Sequence, residues 1–323
     1  MLNQVQHSGF EAIVSIKDKT LVFRADGGGH RGIGHLMRCL ALAEAAAALG
    51  GRTSLWTEAC PPPVAALYRD RGIPIERPSS RADWLIVDSY DITSEMRDSL
   101  RTSAQRMLVI DDVGDNGPYE ADLLVNPNLG ASEPGFLAGS DYIFLRQDVL
   151  SAKTKRSFGP VKHILISCGG SDPAQANPSV LHALRGLPTD VEVRLLTGVD
   201  VSPEAAPNVE CVSASFDIAA HLNWADLAIL AAGTVQWEAA YLGCPFIPLI
   251  IADNQKPGTD AFANQVGFEA LDWRAEHHIQ ALANAVTALM ALPEERQRRA
   301  YIGQHIIDGQ GCQRMLAAIA QIA

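Results

Sequence analysis

Residues 21–43 read LVFRADGGGHRGIGHLMRCLALA: an apolar run, a glycine-rich loop, and a helical pattern with His35 in its first turn. Each part has a chemical use. Glycines let a backbone approach a ligand closely. A helix N-terminus offers unpaired N–H groups and the positive end of a dipole, which suits an anion. The same field disfavours an imidazolium, so a neutral His35 able to act as general base is expected. Leu36, Cys39, Leu40, Ala43 and Ala47 form one apolar stripe, while His35, Arg38 and Leu42 lie off it. That turns His35 toward the loop mouth; a histidine that only caps or packs the loop is the plainer alternative. His30 reads as a solvated loop residue or a minor ligand contact. The glycines at 27–29, 32 and 34 do not make GxGxxG, and the absence of GxxxxGKS/T disfavours a P-loop ATPase.

The second half carries its own glycine turns. Ser167-Cys168-Gly169-Gly170-Ser171-Asp172-Pro173 is one, and Ala231-Ala232-Gly233-Thr234 is another that opens a helix containing Glu238. Backbone N–H groups at Gly233 and Thr234 suit a diphosphate. Glu238, one turn into the helix, suits the two hydroxyls of a ribose; a carboxylate serving the helix dipole is the alternative. Asp253-Asn254-Gln255 follows a strand, and its alternative is a polar turn. Three such loops at successive strand ends point to a nucleotide. In the first half, Asp88 and Asp111-Asp112 stand at strand ends. Asp111 and Asp112 suit Mg²⁺ with phosphate, a brace for a histidine, or a cap, and the nonmetal readings are favoured. No HxxH, HExxH or dense acidic cluster points to a metal site.

These groups need strands to carry them. Apolar runs at 21–25, 53–57, 84–88, 107–111 and 122–126 alternate with helical patterns at 35–49, 62–71 and 94–103. Residues 151–160, SAKTKRSFGP, read as a linker. The pattern restarts with strands at 163–168, 191–197, 227–231 and 246–251, and a helix beginning near Ala176. Alternation of this kind gives parallel sheets. The expectation is an α/β chain of two Rossmann-like domains facing across a cleft, at 20–152 and 153–323, after a leading tail at 1–19 with one short strand at 12–16. His277-His278 and the charge run at 294–299 read as solvated helix surface.

With 323 residues the chain has room for two cores. Its 47% hydrophobic and 20% charged residues are a globular composition. A net charge of −11 argues against a broad nucleic-acid footprint, though not against phosphate held by N–H groups. The six scattered cysteines include no CxxC pair, so reduced thiols in a cytoplasmic protein are expected. No apolar run reaches the roughly 18 residues of a membrane helix, and the first residues do not read as a signal peptide. The expected partner is a small-molecule substrate, without nucleic acid or stable membrane insertion, and the expected state is a monomer.

Arg24-Ala25-Asp26, Gly32-Ile33-Gly34-His35 and Arg38-Cys39-Leu40 together resemble the opening motif of the UDP-2,4-diacetamido-2,4,6-trideoxy-β-L-altropyranose hydrolases of pseudaminic acid biosynthesis. The resemblance continues through Val87-Asp88-Ser89-Tyr90, Ile110-Asp111-Asp112, residues 124–130, 169–173 and 233–238, Asp253-Asn254-Gln255 and Asp308-Gly309-Gln310-Gly311. It implies a fold similar to GT-B glycosyltransferases, with UDP held mainly by the C-terminal domain. It implies hydrolysis of a UDP-linked diacetamido-trideoxy sugar, a role in flagellin glycosylation, and no cofactor or metal. It places the catalytic base on His35, activating water for inverting attack. Substrate contacts then fall on Arg24, Asp26, Gly34, Asp111, Asn128, Gly170, Ser171, Gly233, Thr234, Glu238, Asn254 and Gln255, with Asp26 and Asp111 orienting His35 or binding sugar. Two departures stand out: Ala231-Ala232-Gly233-Thr234-Val235 replaces an AGGST-like run, and Ser89 replaces a histidine. Transfer to an acceptor by a GT-B glycosyltransferase using a UDP-amino sugar, and binding without catalysis, are the competing readings.

Overall fold

The computed structural model describes residues 16–29, 32–91, 93–113, 120–169, 175–198, 208–213 and 216–322. The chain divides into two compact units, Met1–Gln147 with Gly309–Ala323, and Asp148–Asp308.

The first unit runs β1 (Thr20–Ala25), α1 (Gly34–Ala48), β2 (Arg52–Trp56), α2 (Pro62–Asp70), β3 (Ala82–Asp88), α3 (Ser94–Arg101), β4 (Ala104–Ile110), β5 (Leu123–Asn126) and β6 (Leu137–Ala138). Its six strands are ordered β2-β1-β3-β4-β5-β6, and every pairing is parallel. Helices on both faces explain why β1 and β3 read as unbroken apolar runs, with Leu21, Phe23, Leu85 and Ile86 at 0% exposure.

A short helix, α4 (Gln147–Ser151), leads into the second unit. There follow β7 (His163–Ser167), α5 (Asn177–Ala183), β8 (Glu192–Thr197), β9 (Val209–Ser213), α6 (Ile218–Trp224), β10 (Leu227–Ala231), α7 (Thr234–Leu242), β11 (Phe246–Ile250), α8 (Lys256–Val266), β12 (Leu271–Asp272), α9 (His278–Ala291) and α10 (Pro293–Ile306). The sheet order is β12-β11-β10-β7-β8-β9, again all parallel. The final helix, α11 (Gly311–Ile322), belongs to the first unit.

In an open parallel sheet, ligands bind beyond the carboxyl ends of the strands where the strand order reverses. In the first unit that point lies between β1 and β3, and in the second between β7 and β10. At these points lie Asp88, the last residue of β3, His35, in the first turn of the helix after β1, and Gly233, in the turn after β10.

Four local expectations need correction. The first concerns α1, which is buried on nearly every side: Arg38 and Leu42 are covered along with the stripe. The second explains the first. The helix at 311–322, expected in the C-terminal domain, packs Met315, Leu316 and Ile319 into the first unit against α1. Gly311 lets the start of this helix lie against the Ile143 main chain of the same unit, where a Cβ would clash with the carbonyl. Third, the basic stretch at 151–160 is pinned within the second unit. Arg156 donates from Nη1 to the Ala225 carbonyl at 2.7 Å, from Nε to the Leu242 carbonyl at 3.1 Å, and from Nη2 to the Leu222 carbonyl. Carbonyls at helix C-termini lack partners of their own and favour a cation. Fourth, Arg296 in the charge run is 1% exposed and donates to the carbonyls of Leu289, Met290 and Gly159. Ile16, within the span read as a tail, is buried, and residues 1–15 of that span lie outside the described residues.

Candidate functional site

The first unit's candidate site is assembled from three elements. Helix α1 starts at Gly34 with no side-chain cap and no acidic residue in its first turn. Its approach to β1 depends on Gly27, where a Cβ would meet Leu36 Cδ1 at 2.7 Å. A Cβ on Gly34 would meet nothing within 4 Å, so the helix start faces open space. His35 Nδ1 lies 3.2 Å from the Asp88 main-chain oxygen and 3.5 Å from Asp88 Oδ1. The Tyr90 ring stands edge-on to the imidazole with centroids 4.4 Å apart.

Behind the ring is an ionic network. Arg38 grips both oxygens of Asp88, Nε to Oδ2 at 2.8 Å and Nη2 to Oδ1 at 2.7 Å, and its Nη1 reaches Asp112 Oδ2 at 2.9 Å. Burial opposes the Arg38 charge, but Asp88 and Asp112 hold the guanidinium charged well above the ordinary arginine range. Burial likewise opposes ionisation of Asp112, yet Arg38 and then the Tyr90 hydroxyl keep its carboxyl below the usual range. Asn128, a sequence candidate, braces this loop by donating Nδ2 to the Asp112 carbonyl at 2.8 Å.

Arg24 and Asp26 form a pair of their own at 2.8 Å. Asp26 Oδ1 accepts from Glu58 N at 2.7 Å, Thr57 Oγ1 at 3.0 Å and Ala59 N at 3.1 Å. Desolvation raises the Asp26 carboxyl, but Arg24 and these N–H groups bring it below its ordinary value. The pair ties the loop after β2 to the end of β1. Asp111 is 3% exposed and accepts from Val113 N at 3.0 Å. The carboxylates beside His35 are therefore Asp88 and Asp112; of the pair Asp111-Asp112 read as a candidate histidine brace it is Asp112 that lies there, and Asp26, read as orienting His35 or binding sugar, is engaged with Arg24 and the loop after β2. The signal was present: Asp88 ends an apolar run, as a switch-point residue should.

The second unit is built differently. Gly233 is the N-cap of α7, which has no side-chain cap and no acidic first turn. The Gly233 N–H donates to the Ala231 carbonyl at 2.8 Å, so the helix-start N–H groups suited to an anion are those of Thr234 and Val235. A Cβ on Gly233 would meet nothing within 4 Å. Glu238 lies four residues beyond Thr234 on the same helix and is 8% exposed. Gln236, missed in the sequence, is 2% exposed and donates Nε2 to the Ala232 carbonyl at 3.0 Å and to Thr259 Oγ1 at 3.2 Å. Thr259 in turn donates to the Gln255 carbonyl at 2.7 Å, and Gln255 Oε1 accepts from Ile251 N at 2.9 Å. This chain of amides fixes the Asn254-Gln255 loop relative to the start of α7. A polar Gln236 two residues before Glu238, on a helix that follows an unbroken apolar strand, was the available clue. Gly170 and Ser171 lie outside the described residues.

Among the described residues, no group of three or more His, Cys, Asp or Glu side chains is placed to hold a metal ion. Among them, too, no helix is long and apolar enough to cross a membrane.

No protein-family profile matches the chain. It is 24% identical over 334 residues to the spore coat polysaccharide biosynthesis protein SpsG of Bacillus subtilis, covering 92% of this chain and 97% of that protein. The fold is similar to that of MurG from Acinetobacter baumannii, with a TM-score of 0.61 and 18% identity over 94% of this chain and 100% of the other. It is similar also to the spinosyn rhamnosyltransferase SpnG complexed with thymidine diphosphate, with a TM-score of 0.64 and 14% identity over 94% and 99% of the two chains. Two six-stranded parallel sheets with these neighbours make the fold GT-B glycosyltransferase-like.

Proposed function

We propose that this chain is a nucleotide-sugar enzyme of the GT-B type, with His35 as base. An oxygen nucleophile loses its proton to His35 Nε2 and attacks the anomeric carbon. The sugar–oxygen bond to the nucleoside diphosphate breaks, and its electron pair leaves with the diphosphate. The observation that carries this reading is the placement of His35 against Asp88 at the first unit's switch point, its Nδ1 turned to the Asp88 main-chain oxygen at 3.2 Å. A base held in this way contributes about 10²–10⁴-fold to rate.

The second unit supports the leaving-group half. The N–H groups of Thr234 and Val235 supply an anion site at a helix N-terminus, and such preorganised donors stabilise charge that develops on departure. Glu238 on the same helix, and Asn254 and Gln255 on the loop tied to it through Thr259 and Gln236, are groups suited to a ribose and base. The spinosyn enzyme carries thymidine diphosphate, and the Bacillus relative bears the name of a polysaccharide biosynthesis protein. The first favours a nucleoside diphosphate ligand here, and the second a role in polysaccharide synthesis.

Water as nucleophile gives a hydrolase, the reading that the residue 24–40 motif favours. An acceptor hydroxyl gives a glycosyltransferase, and the solved neighbours favour that one. One experiment separates them. Purified chain is incubated with UDP-linked amino sugars in chelator, with and without candidate acceptors, and UDP is measured. His35-dependent release without acceptor means hydrolysis; release only with acceptor means transfer. Binding of UDP-sugar with no turnover under either condition would overturn the enzyme reading.

A further inference from the structure

The basic stretch at 151–160 and the charge run at 294–299 meet in the fold. Together with the C-terminal end of α7 they wall a cavity of about 430 Å³ on the second unit, within the size range of small-molecule sites. Gly243, the C-cap of α7, lines it. That is the end of α7 away from the uncapped start at Thr234, about 13 Å along the helix axis. The cavity is therefore separate from the anion site.

The strong charges around it are already matched. Arg156 directs its three nitrogens to carbonyls at the ends of α6 and α7, and such helix ends carry partial negative charge. Arg298 is held by both oxygens of Glu295, at 2.7 and 2.8 Å, and by the Val266 carbonyl at 2.6 Å. Lys155 and Glu294 remain, one of each sign. No surplus positive charge is left for a phosphate or carboxylate.

The unengaged polar groups suit a different ligand. Among the described residues, Lys155, Glu294 and Gln297 make no hydrogen bond or ion pair, and Gln304 Oε1 receives none. The Gln304 amide is anchored by its nitrogen, which donates to the Tyr241 carbonyl at 3.3 Å. Glycine at 243 makes room for it, since a Cβ there would lie 2.7 Å from that nitrogen. Lys155 can only donate, Glu294 can only accept, and the Gln297 amide does both. Beside them Tyr301 is 62% exposed, although its ring is backed by His305 with centroids 4.1 Å apart. Phe158 adds a second, half-buried ring. Hydroxyl groups use donors and acceptors at close spacing, and the C–H face of a pyranose suits an exposed aromatic ring. Neither an anion nor a purely apolar ligand would use the whole set.

We propose that this cavity is a saccharide-binding site, which takes a neutral, hydroxyl-rich glycan segment with one sugar ring stacked on Tyr301. It lies outside the site assigned to the nucleotide sugar and does not depend on that assignment.

The test is saturation-transfer NMR on the full chain, with maltotriose and chitotriose as probes and inorganic phosphate as competitor. Saturation of aromatic protons should pass to sugar ring protons of at least one probe, with binding in the millimolar range and no displacement by phosphate. Tyr301→Ala should weaken binding about tenfold, while Tyr301→Phe, which keeps the ring, should retain most of it. Gln297→Ala should cause a smaller loss. Both positions are exposed, so the melting temperature should hold. Should Tyr301→Ala fail to fold, Gln297→Ala carries the test. Absence of transfer to both probes would overturn the proposal. So would equal binding by the wild type and the folded Tyr301→Ala chain, which would put the sugar elsewhere. Displacement by phosphate would make the cavity an anion site and overturn it too. A chain that binds saccharide as described but turns over no nucleotide sugar would defeat the proposed function and leave this site standing.

Discussion

At the first unit's switch point the strand ends carry Asp88 and Asp112, locked onto Arg38, while the corresponding place in the second unit is organised by Gly233, Gln236 and Thr259. One network is ionic and the other is made of amides and a hydroxyl. Their products differ accordingly. Buried charges are costly unless matched, and a matched set allows few arrangements, so the ionic network suits holding one ring in one orientation. A neutral network brings no carboxylate to repel a ligand and leaves the N–H groups at the start of α7 uncapped. On the proposed reading, the same topology is furnished for proton transfer in one unit and for anion binding in the other.

The sharpest way to break this comparison is His35→Ala. Turnover should fall by about 10²–10⁴-fold, with nucleotide affinity measured by calorimetry unchanged; a parallel loss of binding would mean that the first unit also holds the nucleotide. Gly233→Val should do the reverse. The added side chain enters open space at a φ of −97° that any residue adopts, so the melting temperature should hold. Nucleoside diphosphate binding should weaken about tenfold or more, roughly 1.4 kcal/mol.

A smaller effect is expected from Thr259→Val, which keeps the shape and removes the hydroxyl between Gln236 and Gln255. Denaturant unfolding should show a loss of about 1 kcal/mol, and KM for the sugar nucleotide should rise more than kcat falls. The smallest effect concerns acid and salt. The folded Asp112 carboxyl lies below its ordinary 3.8, so its stabilisation is complete above that value and disappears as pH falls through the folded one. Asp272 is brought down to about 2, chiefly by the Arg274 side chain, but that pair is far more open to solvent. In about 1 M salt, where screening acts within about 3 Å, the acid-dependent contribution removed by Asp272→Asn should vanish, while that removed by Asp112→Asn persists. Paired melts near pH 5 and pH 3 distinguish the two.

The inner strands were legible because doubly covered parallel strands are unbroken apolar runs, whereas the strand order, and the more exposed edge strand β9, were not. The run at 227–231 coincides with β10, and His35 and Gly233 were found from glycine turns following such runs. The short edge strands β6 and β12, with two residues each, leave too little pattern to read. Arg38, Arg156 and Arg296 were misread for a common reason. An arginine in sequence looks solvated, and only the fold reveals the carboxylates or helix-end carbonyls that permit its burial. Asp88 was visible as a strand-end carboxylate, but its pairing with His35 in place of Asp26 was not, because sequence distance says nothing of which strand lies beside β1.

The position of α11 has a consequence for how the chain is made. The helix that covers the back of α1 follows the whole second unit in the chain, so the unit carrying His35 starts to emerge before that unit and gains this wall only after it. During synthesis its apolar flank stays uncovered while all of residues 148–308 emerge. A chain stopped near residue 308 would retain every side chain named in either site, yet leave the helix bearing His35 without its outer wall.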